Sequence, residues 1–379
     1  MEILNGISYF FVFLTLIYVF VVITFIRGWA KIPVFKRSKK RLSTLVSIIV
    51  AARNEEDKIA STINDILAQD YEGHLFELIV VDDHSTDTTA QVVAAYAEDG
   101  VKLIRLNEDL ALNSYKKKAI QTAIGQAKGE LIITTDADCR MGKGWLSTIV
   151  DCYETNGYKM ISSPVAYFEE KGFFEEAQSL EFAYLIGLGA STIGNKNPST
   201  CNGANLAYEK QAFHEVGGFK GIDDLASGDD ELLLHKISAI YGNQIGFLKN
   251  EGAIVYTHAK ATLREFIQQR RRWASKSTRY KEKSVIILGV SVWLFNLSII
   301  INAILSIFFP ANYLPFLYFQ LGAKLVIEFI FLNNVMAFFK RKALLVCLPI
   351  LNVLHIIYIV YIGIAGNSGK YNWKGRMVK

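Results

Sequence analysis

Carboxylate pairs recur along this chain, and two of them directly follow runs of apolar, β-favouring residues. Asp82 and Asp83 follow the run Leu-Ile-Val-Val, and Asp136 and Asp138 follow Leu-Ile-Ile-Thr-Thr. Open α/β sheets bind their ligands at the carboxyl ends of parallel strands. These side chains are therefore predicted to lie at a ligand site.

The second pair has the spacing of a metal site. One alanine separates Asp136 from Asp138, so side-chain alternation at a strand end points both carboxylates to one face. Hard oxygen ligands suit Mg²⁺ or Mn²⁺ bound jointly with a diphosphate. Such a metal would neutralise charge that develops on a nucleotide leaving group. An isolated Asp-x-Asp is more often an ordinary acidic turn, but the preceding strand and the other clusters favour the metal.

A third acidic pair and an arginine cluster follow later in the chain. Asp229 and Asp230 lie at a predicted loop-to-helix junction, where one of them can serve as general base for an acceptor hydroxyl. The alternative is that they are helix N-terminal acids favoured by the helix dipole. The arginines at 270–272 offer bidentate contacts to a diphosphate. Alternatively they form a basic helix face, with Trp273 as an interfacial anchor.

Residues 43–258 are predicted to form the α/β domain that positions these groups. Apolar runs at 45–52, 76–81, 101–106 and 130–135 alternate with helical stretches at 57–69, 88–97 and 117–127. This alternation predicts a doubly wound, mostly parallel sheet.

The apolar ends of the chain raise its hydrophobic content to 51%. Residues 1–27 contain an uncharged run of bilayer-spanning length and are predicted to be a transmembrane anchor. Seven basic residues follow within 27–41 with no acid between them, which places the next segment on the cytoplasmic face of the cell (inner) membrane. Because this run adjoins a span, the net charge of +5 favours membrane lipids and not nucleic acid as partner.

The C-terminal third is predicted to lie on and in the membrane as a multi-pass region. It divides into an interfacial amphipathic helix at 259–283, a transmembrane region at 284–366 and a basic tail at 367–379. If all its apolar segments cross, the tail ends outside, against the positive-inside rule. Because Pro349, Asn352 and His355 interrupt the last segment, that segment is predicted to be re-entrant and the tail cytoplasmic.

Six motifs in this order resemble those of membrane-bound family 2 glycosyltransferases. They are Val46-Ser-Ile-Ile-Val-Ala-Ala-Arg-Asn-Glu55, Val81-Asp-Asp-His-Ser-Thr-Asp87, Asp136-Ala-Asp138, Cys201-Asn-Gly-Ala-Asn205, Gly228-Asp-Asp-Glu231 and Gln269-x-x-Arg272-Trp273. The resemblance covers about residues 43–275 and includes the spacing between motifs. It implies a GT-A fold with a Rossmann-like sheet and an inverting displacement from a nucleotide-sugar, with UDP as the favoured nucleotide.

The resemblance also implies a role for each matching residue. The nucleotide would be contacted by Ala51, Arg53, Glu55 and Asp83, and the family's lysine would be Lys116 or Lys117. The diphosphate and metal would be held by Asp136 and Asp138, with Asp138 as direct ligand, and the sugar and acceptor pocket would be shaped by Gly203, Ala204 and Asn205. The base would be Asp230, beside Asp229, and the residues that close over donor and acceptor would be Gln269, Arg272 and Trp273.

Three positions depart from the family pattern. His84 stands where glycine is commoner, Tyr115 stands where a glycine usually precedes the lysine, and Asp230 belongs to Gly-Asp-Asp where many polymerising members carry Glu-Asp. These departures do not change the predicted reaction class, and they do not identify the substrate.

Several functions remain in competition at this point. A lipid acceptor, as in ceramide- or hopanoid-type glucosyltransferases, is favoured over a growing polysaccharide because the hydrophobic segments are few for a secretion channel. A nucleotidyltransferase would need a glycine-rich basic loop after the first strand, where this chain has Ala51-Ala-Arg-Asn-Glu-Glu. A non-catalytic membrane protein is disfavoured because every catalytic-type carboxylate position is filled. Protein partners are left open.

Overall fold

The computed structural model describes residues 2–38, 40–107, 114–366, 371–373 and 376–378. The chain divides into two compact units, each formed by separate stretches of sequence. The sheet unit comprises Lys31–Glu169, Thr192–Ala259 and Lys370–Lys379, and the helical unit comprises Met1–Ala30, Glu170–Ser191 and Lys260–Gly369. Residues 170–191, which lie inside the predicted domain 43–258, thus group with the apolar helices.

The described strands and helices are as follows. The strands are β1 Val46–Ala52, β2 Phe76–Asp82, β3 Lys102–Arg105, β4 Leu131–Asp136, β5 Arg140–Met141, β6 Met160–Ser162, β7 Val165–Tyr167, β8 Leu206–Glu209, β9 Ile245–Phe247, β10 Val255–Thr257, β11 Tyr371–Trp373 and β12 Arg376–Val378. The helices are α1 Glu2–Lys31, α2 Ile59–Leu67, α3 Thr89–Ala94, α4 Tyr115–Gln126, α5 Trp145–Asn156, α6 Phe173–Gly194, α7 Lys210–Glu215, α8 Glu231–Tyr241, α9 Leu263–Ser275, α10 Lys283–Phe308, α11 Pro310–Phe338 and α12 Leu348–Ala365.

The main sheet has the strand order β3-β2-β1-β4-β8-β6-β9. β1, β2, β3 and β4 pair in parallel, and β8 runs antiparallel to both β4 and β6. The apolar runs of β1, β2 and β4 are almost wholly buried, as expected for parallel strands covered on both faces. The predicted mostly parallel α/β sheet is therefore confirmed.

The register of the sheet brings the acidic strand ends level with one another. Ala52 of β1 pairs with Asp82 of β2, and Ala51 pairs with Asp136 of β4. A second, smaller sheet with the order β5-β10-β7 follows the Asp136–Asp138 turn. Both acidic pairs therefore lie at the carboxyl edge of the parallel strands, where the sequence places them.

Among the residues that the structure describes, four helices are long and apolar enough to cross a membrane, judged by length and composition. They are Gly6–Lys31, Lys283–Phe308, Pro310–Phe338 and Lys342–Ala365. Pro310 begins α11, where its missing N–H requires no partner. Pro315 lies inside the same helix and does not end it.

The expected interruption of the last apolar segment is wrong, because α12 is one continuous helix. Pro349 lies at its first turn, where proline is tolerated. The Asn352 amide donates to Glu328 at 2.7 Å, and the His355 ring stacks on Tyr358 at 5.5 Å. The polar residues thus find partners inside the helical unit and leave the helix intact.

Candidate active site

The loops after β1 and β2 are tied together by backbone contacts. The Arg53 guanidinium donates to the carbonyls of Asp83 at 2.9 Å and His84 at 2.8 Å, and the Asp83 amide donates to Ala52 at 2.8 Å. The Glu55 amide donates to the hydroxyl of Thr89 at 2.8 Å. Arg53 and Glu55 therefore stabilise the edge at which a nucleotide is predicted to bind.

His84 explains why glycine is commoner at this position in the family pattern. Its φ is +54°, a left-handed conformation that glycine adopts without steric cost. The His84 Nδ1 atom lies 3.0 Å from Oδ1 of the buried Asp83. This contact holds the aspartate in a fixed orientation, and it also partly offsets the backbone strain.

Lys116 joins two of the acidic pairs. Its ammonium lies 2.7 Å from Asp136 and 3.3 Å from Asp229. Burial alone would lower the pKa of this ammonium, but the carboxylates of Asp136 and Asp229 raise it above its ordinary value. Lys116 is therefore a permanent cation that partly neutralises the cluster, and it brings together residues more than ninety positions apart.

Lys117, the alternative lysine, has a different role. Its side chain is 1% exposed, and its ammonium donates to the carbonyls of Leu225 and Ser227, both at 2.6 Å. These carbonyls belong to the loop that precedes Asp229. Lys116 therefore faces the carboxylates, whereas Lys117 fixes the loop that carries one of them.

Asp138 lies beside Asp136 at the end of β4. Ligand atoms of Asp136, Asp138 and Cys139 all fall within 4.8 Å of one another. Lys58 lies 3.9 Å from Asp138, and the Thr257 hydroxyl lies 3.4 Å from it. Burial and the two aspartates raise the pKa of the Cys139 thiol. The two carboxylates are hard oxygen donors, which fit Mg²⁺ or Mn²⁺.

Asp230 lies at the N-cap of α8. Its Oδ1 accepts from the Glu231 amide at 2.6 Å, and its Oδ2 accepts from the Gly203 amide at 3.1 Å. The helix-capping interpretation is therefore realised at this carboxylate.

Gly203 is packed directly against the third acidic pair. A Cβ at this position would lie 3.2 Å from an Asp229 oxygen and 3.3 Å from the Asp230 Cβ. Ala204 follows it in a short turn, in which the Ala204 amide donates to Asn202 at 2.9 Å. The small residues of this segment let the backbone approach the carboxylates.

Asn205 is fully buried, and its side chain forms hydrogen bonds within the protein. Its amide donates to the carbonyls of Pro164 at 2.8 Å and Ala253 at 2.7 Å, and its oxygen accepts from Trp145 at 2.9 Å. These bonds use the polar atoms of the side chain. Its influence on a pocket is therefore exerted through the backbone that it holds.

Gln269, Arg272 and Trp273 lie on α9 in the helical unit. This helix begins with a capping box between Thr262 and Glu265, a signal that is readable in the sequence. Within the same unit, the Trp273 ring packs against Phe182 at 6.0 Å.

Arg270 is the buried residue of this motif, and the sequence did not single it out. It pairs with Glu181 of α6, and its guanidinium lies over the rings of Phe266 at 4.6 Å and Trp273 at 4.2 Å. It also donates to Gln269 at 2.7 Å. Arg270 thus fixes two of the predicted residues, and a periodicity argument cannot distinguish it from its arginine neighbours.

Comparison with known proteins finds a matching family model and relatives whose names describe sugar transfer. Residues 47–217 match the model of glycosyl transferase family 2. A beta-monoglucosyldiacylglycerol synthase of Synechocystis sp. is 26% identical over 234 residues, which are 60% of this chain and 47% of that protein. A glucosyl-dolichyl phosphate glucuronosyltransferase of Haloferax volcanii is 27% identical over 185 residues, 46% of this chain and 55% of that protein. This chain thus spans about half the length of these relatives.

A solved structure shares the fold. A mannosyltransferase from Pyrobaculum calidifontis, solved in complex with GDP-Man and Mn²⁺, superposes with a TM-score of 0.58 at 19% identity, covering 96% of this chain and 98% of that one. At this identity the similarity shows the fold alone. The match to glycosyl transferase family 2 covers residues 47–217, somewhat less than half of the chain.

Proposed function

We propose that this protein transfers a sugar, with inversion, from a nucleotide-sugar to a hydroxyl of a membrane lipid at the cytoplasmic face of the cell membrane. The observation that carries the proposal is the contact of Lys116 with both Asp136 and Asp229, next to Asp230. It unites a diphosphate-binding pair, a cation and a candidate base in one cluster. The glycolipid synthases among the relatives support the lipid as acceptor.

The proposed reaction divides among the residues of the sheet unit. The Arg53, Glu55 and Asp83 edge binds the nucleotide, and Lys116 stabilises the negative charge of the departing diphosphate. Asp230 accepts the proton of the acceptor hydroxyl. The hydroxyl oxygen then bonds to the anomeric carbon while the bond to the nucleoside diphosphate breaks. A divalent cation held by Asp138 and Asp136 would add charge neutralisation at the leaving group.

The reaction can be tested by incubating membranes with labelled UDP-glucose, UDP-N-acetylglucosamine and GDP-mannose, followed by organic extraction. We expect label from one donor in the extractable lipid fraction, and none with the Asp230→Asn variant. Insoluble or high-mass product would instead support the processive polysaccharide synthase. No incorporation from any donor would support the non-catalytic alternative.

The role of Asp138 can be tested by donor binding to the purified full chain. Asp138→Ala is expected to weaken the metal-dependent part of UDP-sugar binding by at least about tenfold, since even the residues behind a ligand contribute about that much. Calorimetry with and without EDTA measures this part. Exposed Asp57 provides the control, as Asp57→Ala. Unchanged metal-dependent affinity in Asp138→Ala would remove this aspartate as ligand.

The membrane placement is also a proposal. The exposed side chains of α1, including Tyr9, Phe10, Phe13, Leu16 and Phe20, are 53–71% exposed and apolar, as expected for contact with lipid. The basic residues after α1 do not all face lipid, because Arg37 pairs with Asp70 at 2.9 Å and Arg41 with Glu72 at 3.1 Å.

A further inference from the structure

The apolar helix α12 runs across its neighbours in the helical unit instead of along them. Tyr18 of α1 marks one level of the bundle, because its ring stacks on Phe295 of α10 at 4.1 Å and its hydroxyl donates to Glu328 of α11. Phe295 lies fourteen residues before Phe309, which joins the antiparallel helices α10 and α11, and Glu328 lies nineteen residues after it, so their depths differ by about 7 Å. These two residues give a reference against which α12 can be placed.

Two contacts fix the course of α12 relative to this level. Asn352 donates to Glu328 at 2.7 Å, and the Trp293 indole donates to the carbonyl of Val360 at 3.3 Å. A Cβ on Gly363 would also lie within 2.4 Å of the Trp293 ring. Both halves of α12 thus contact residues at nearly one depth.

The helical rise allows the depths of the residues that contact α12 to be compared with the length of α12 between those contacts. Trp293 lies sixteen residues before Phe309, so its depth differs from that of Glu328 by only about 5 Å. Between Asn352 and Val360, however, α12 advances about 12 Å along its own axis. A helix parallel to its neighbours would change depth by that whole distance. α12 is therefore steeply tilted. Its eighteen residues are about 27 Å long along the helix axis, but because of the tilt their extent along the bundle axis falls well short of the ~30 Å hydrocarbon core.

The outer side of α12 is apolar along its length. Its exposed stripe consists of Ile350, Val353, Leu354, Ile357, Tyr361 and Ile364, each 49–63% exposed. The opposite side carries the polar contacts, including Asn352 and the Tyr358 hydroxyl, which lies 3.4 Å from Glu181. A polar inner side and an apolar outer side match a surface covered by lipid acyl chains.

We propose that α12 is embedded in one leaflet and does not cross the bilayer, with its exposed stripe against acyl chains. The inference rests on the membrane placement proposed above. With α1, α10 and α11 as the crossing helices, the chain returns after α11 to the cytoplasmic side and stays there. Its basic C-terminus then lies on the cytoplasmic side, in agreement with the positive-inside rule.

The proposal can be tested by labelling single cysteines in the full-length chain with a membrane-impermeant maleimide. The four native cysteines are first replaced by alanine. The reporters are Asn312→Cys in the first turn of α11, Ala343→Cys between α11 and α12, and a cysteine added after Lys379. In spheroplasts we expect only Asn312→Cys to react, and all three to react after permeabilisation.

Different labelling patterns test the course of α12 and the membrane placement separately. Reaction of the C-terminal cysteine in spheroplasts, with Ala343→Cys protected, means that α12 crosses and overturns the proposal. Protection of Asn312→Cys overturns the membrane placement as well. Transfer activity measured on the unchanged protein is an independent readout, so its absence together with the expected labelling pattern would count against the enzymatic proposal alone.

Discussion

Asp230→Asn is expected to slow sugar transfer by about 10²–10⁴-fold, the usual contribution of a general base. The substitution preserves shape and keeps one oxygen to accept from the Glu231 amide, so α8 retains its cap. The asparagine amide cannot take up the acceptor proton. Donor binding should stay close to that of the unchanged protein, because the Lys116 contacts involve Asp136 and Asp229.

The matched control is Asp223→Asn, in the exposed loop upstream of the same helix. It should leave both transfer and donor binding unchanged. Single-turnover rates with saturating donor separate the chemical step from binding. Turnover of Asp230→Asn within a few-fold of the unchanged enzyme would exclude this carboxylate as the base.

Glu181→Ala is expected to destabilise the protein by about 3–5 kcal/mol, because it leaves a buried guanidinium without its counter-charge. Glu181 is 4% exposed in its side chain and Arg270 is 1% exposed. The Tyr358 hydroxyl also loses its acceptor. Thermal unfolding of the full chain in detergent, followed by tryptophan fluorescence, measures the effect.

A double variant distinguishes a lost attraction from an unpaired charge. Glu181→Leu combined with Arg270→Met removes both charges, and we expect it to recover most of the stability lost in Glu181→Ala. Glu176→Ala on the same helix is the control and should unfold near the normal temperature. A double variant as unstable as the single one would contradict this explanation.

The parallel strands could be predicted closely from the sequence because burial on both faces leaves unbroken apolar runs. β1, β2 and β4 therefore begin and end within one residue of their predicted limits. Their register also follows, since strands of similar length bounded by polar turns can align in few ways. The predicted proximity of Asp82 and Asp136 to one edge rests on these local signals.

Long-range contacts explain what could not be predicted. Lys116 and Lys117 are adjacent and equally basic, and only the position of the 225–229 loop tells them apart. Arg270 is followed directly by two further arginines, and its burial depends on Glu181, far away in sequence. The grouping of residues 170–191 with the apolar helices likewise depends on partners that no local pattern reveals.

The position of Lys116 couples nucleotide and metal. Its ammonium contacts Asp136 and Asp229, and a diphosphate bound at this edge would share that ammonium with the two carboxylates. Asp136 would then be less neutralised by Lys116 and would hold a divalent cation beside Asp138 more tightly. By thermodynamic linkage each ligand would tighten the binding of the other. One lysine would in this way tie the metal affinity of the acidic edge to the presence of the donor.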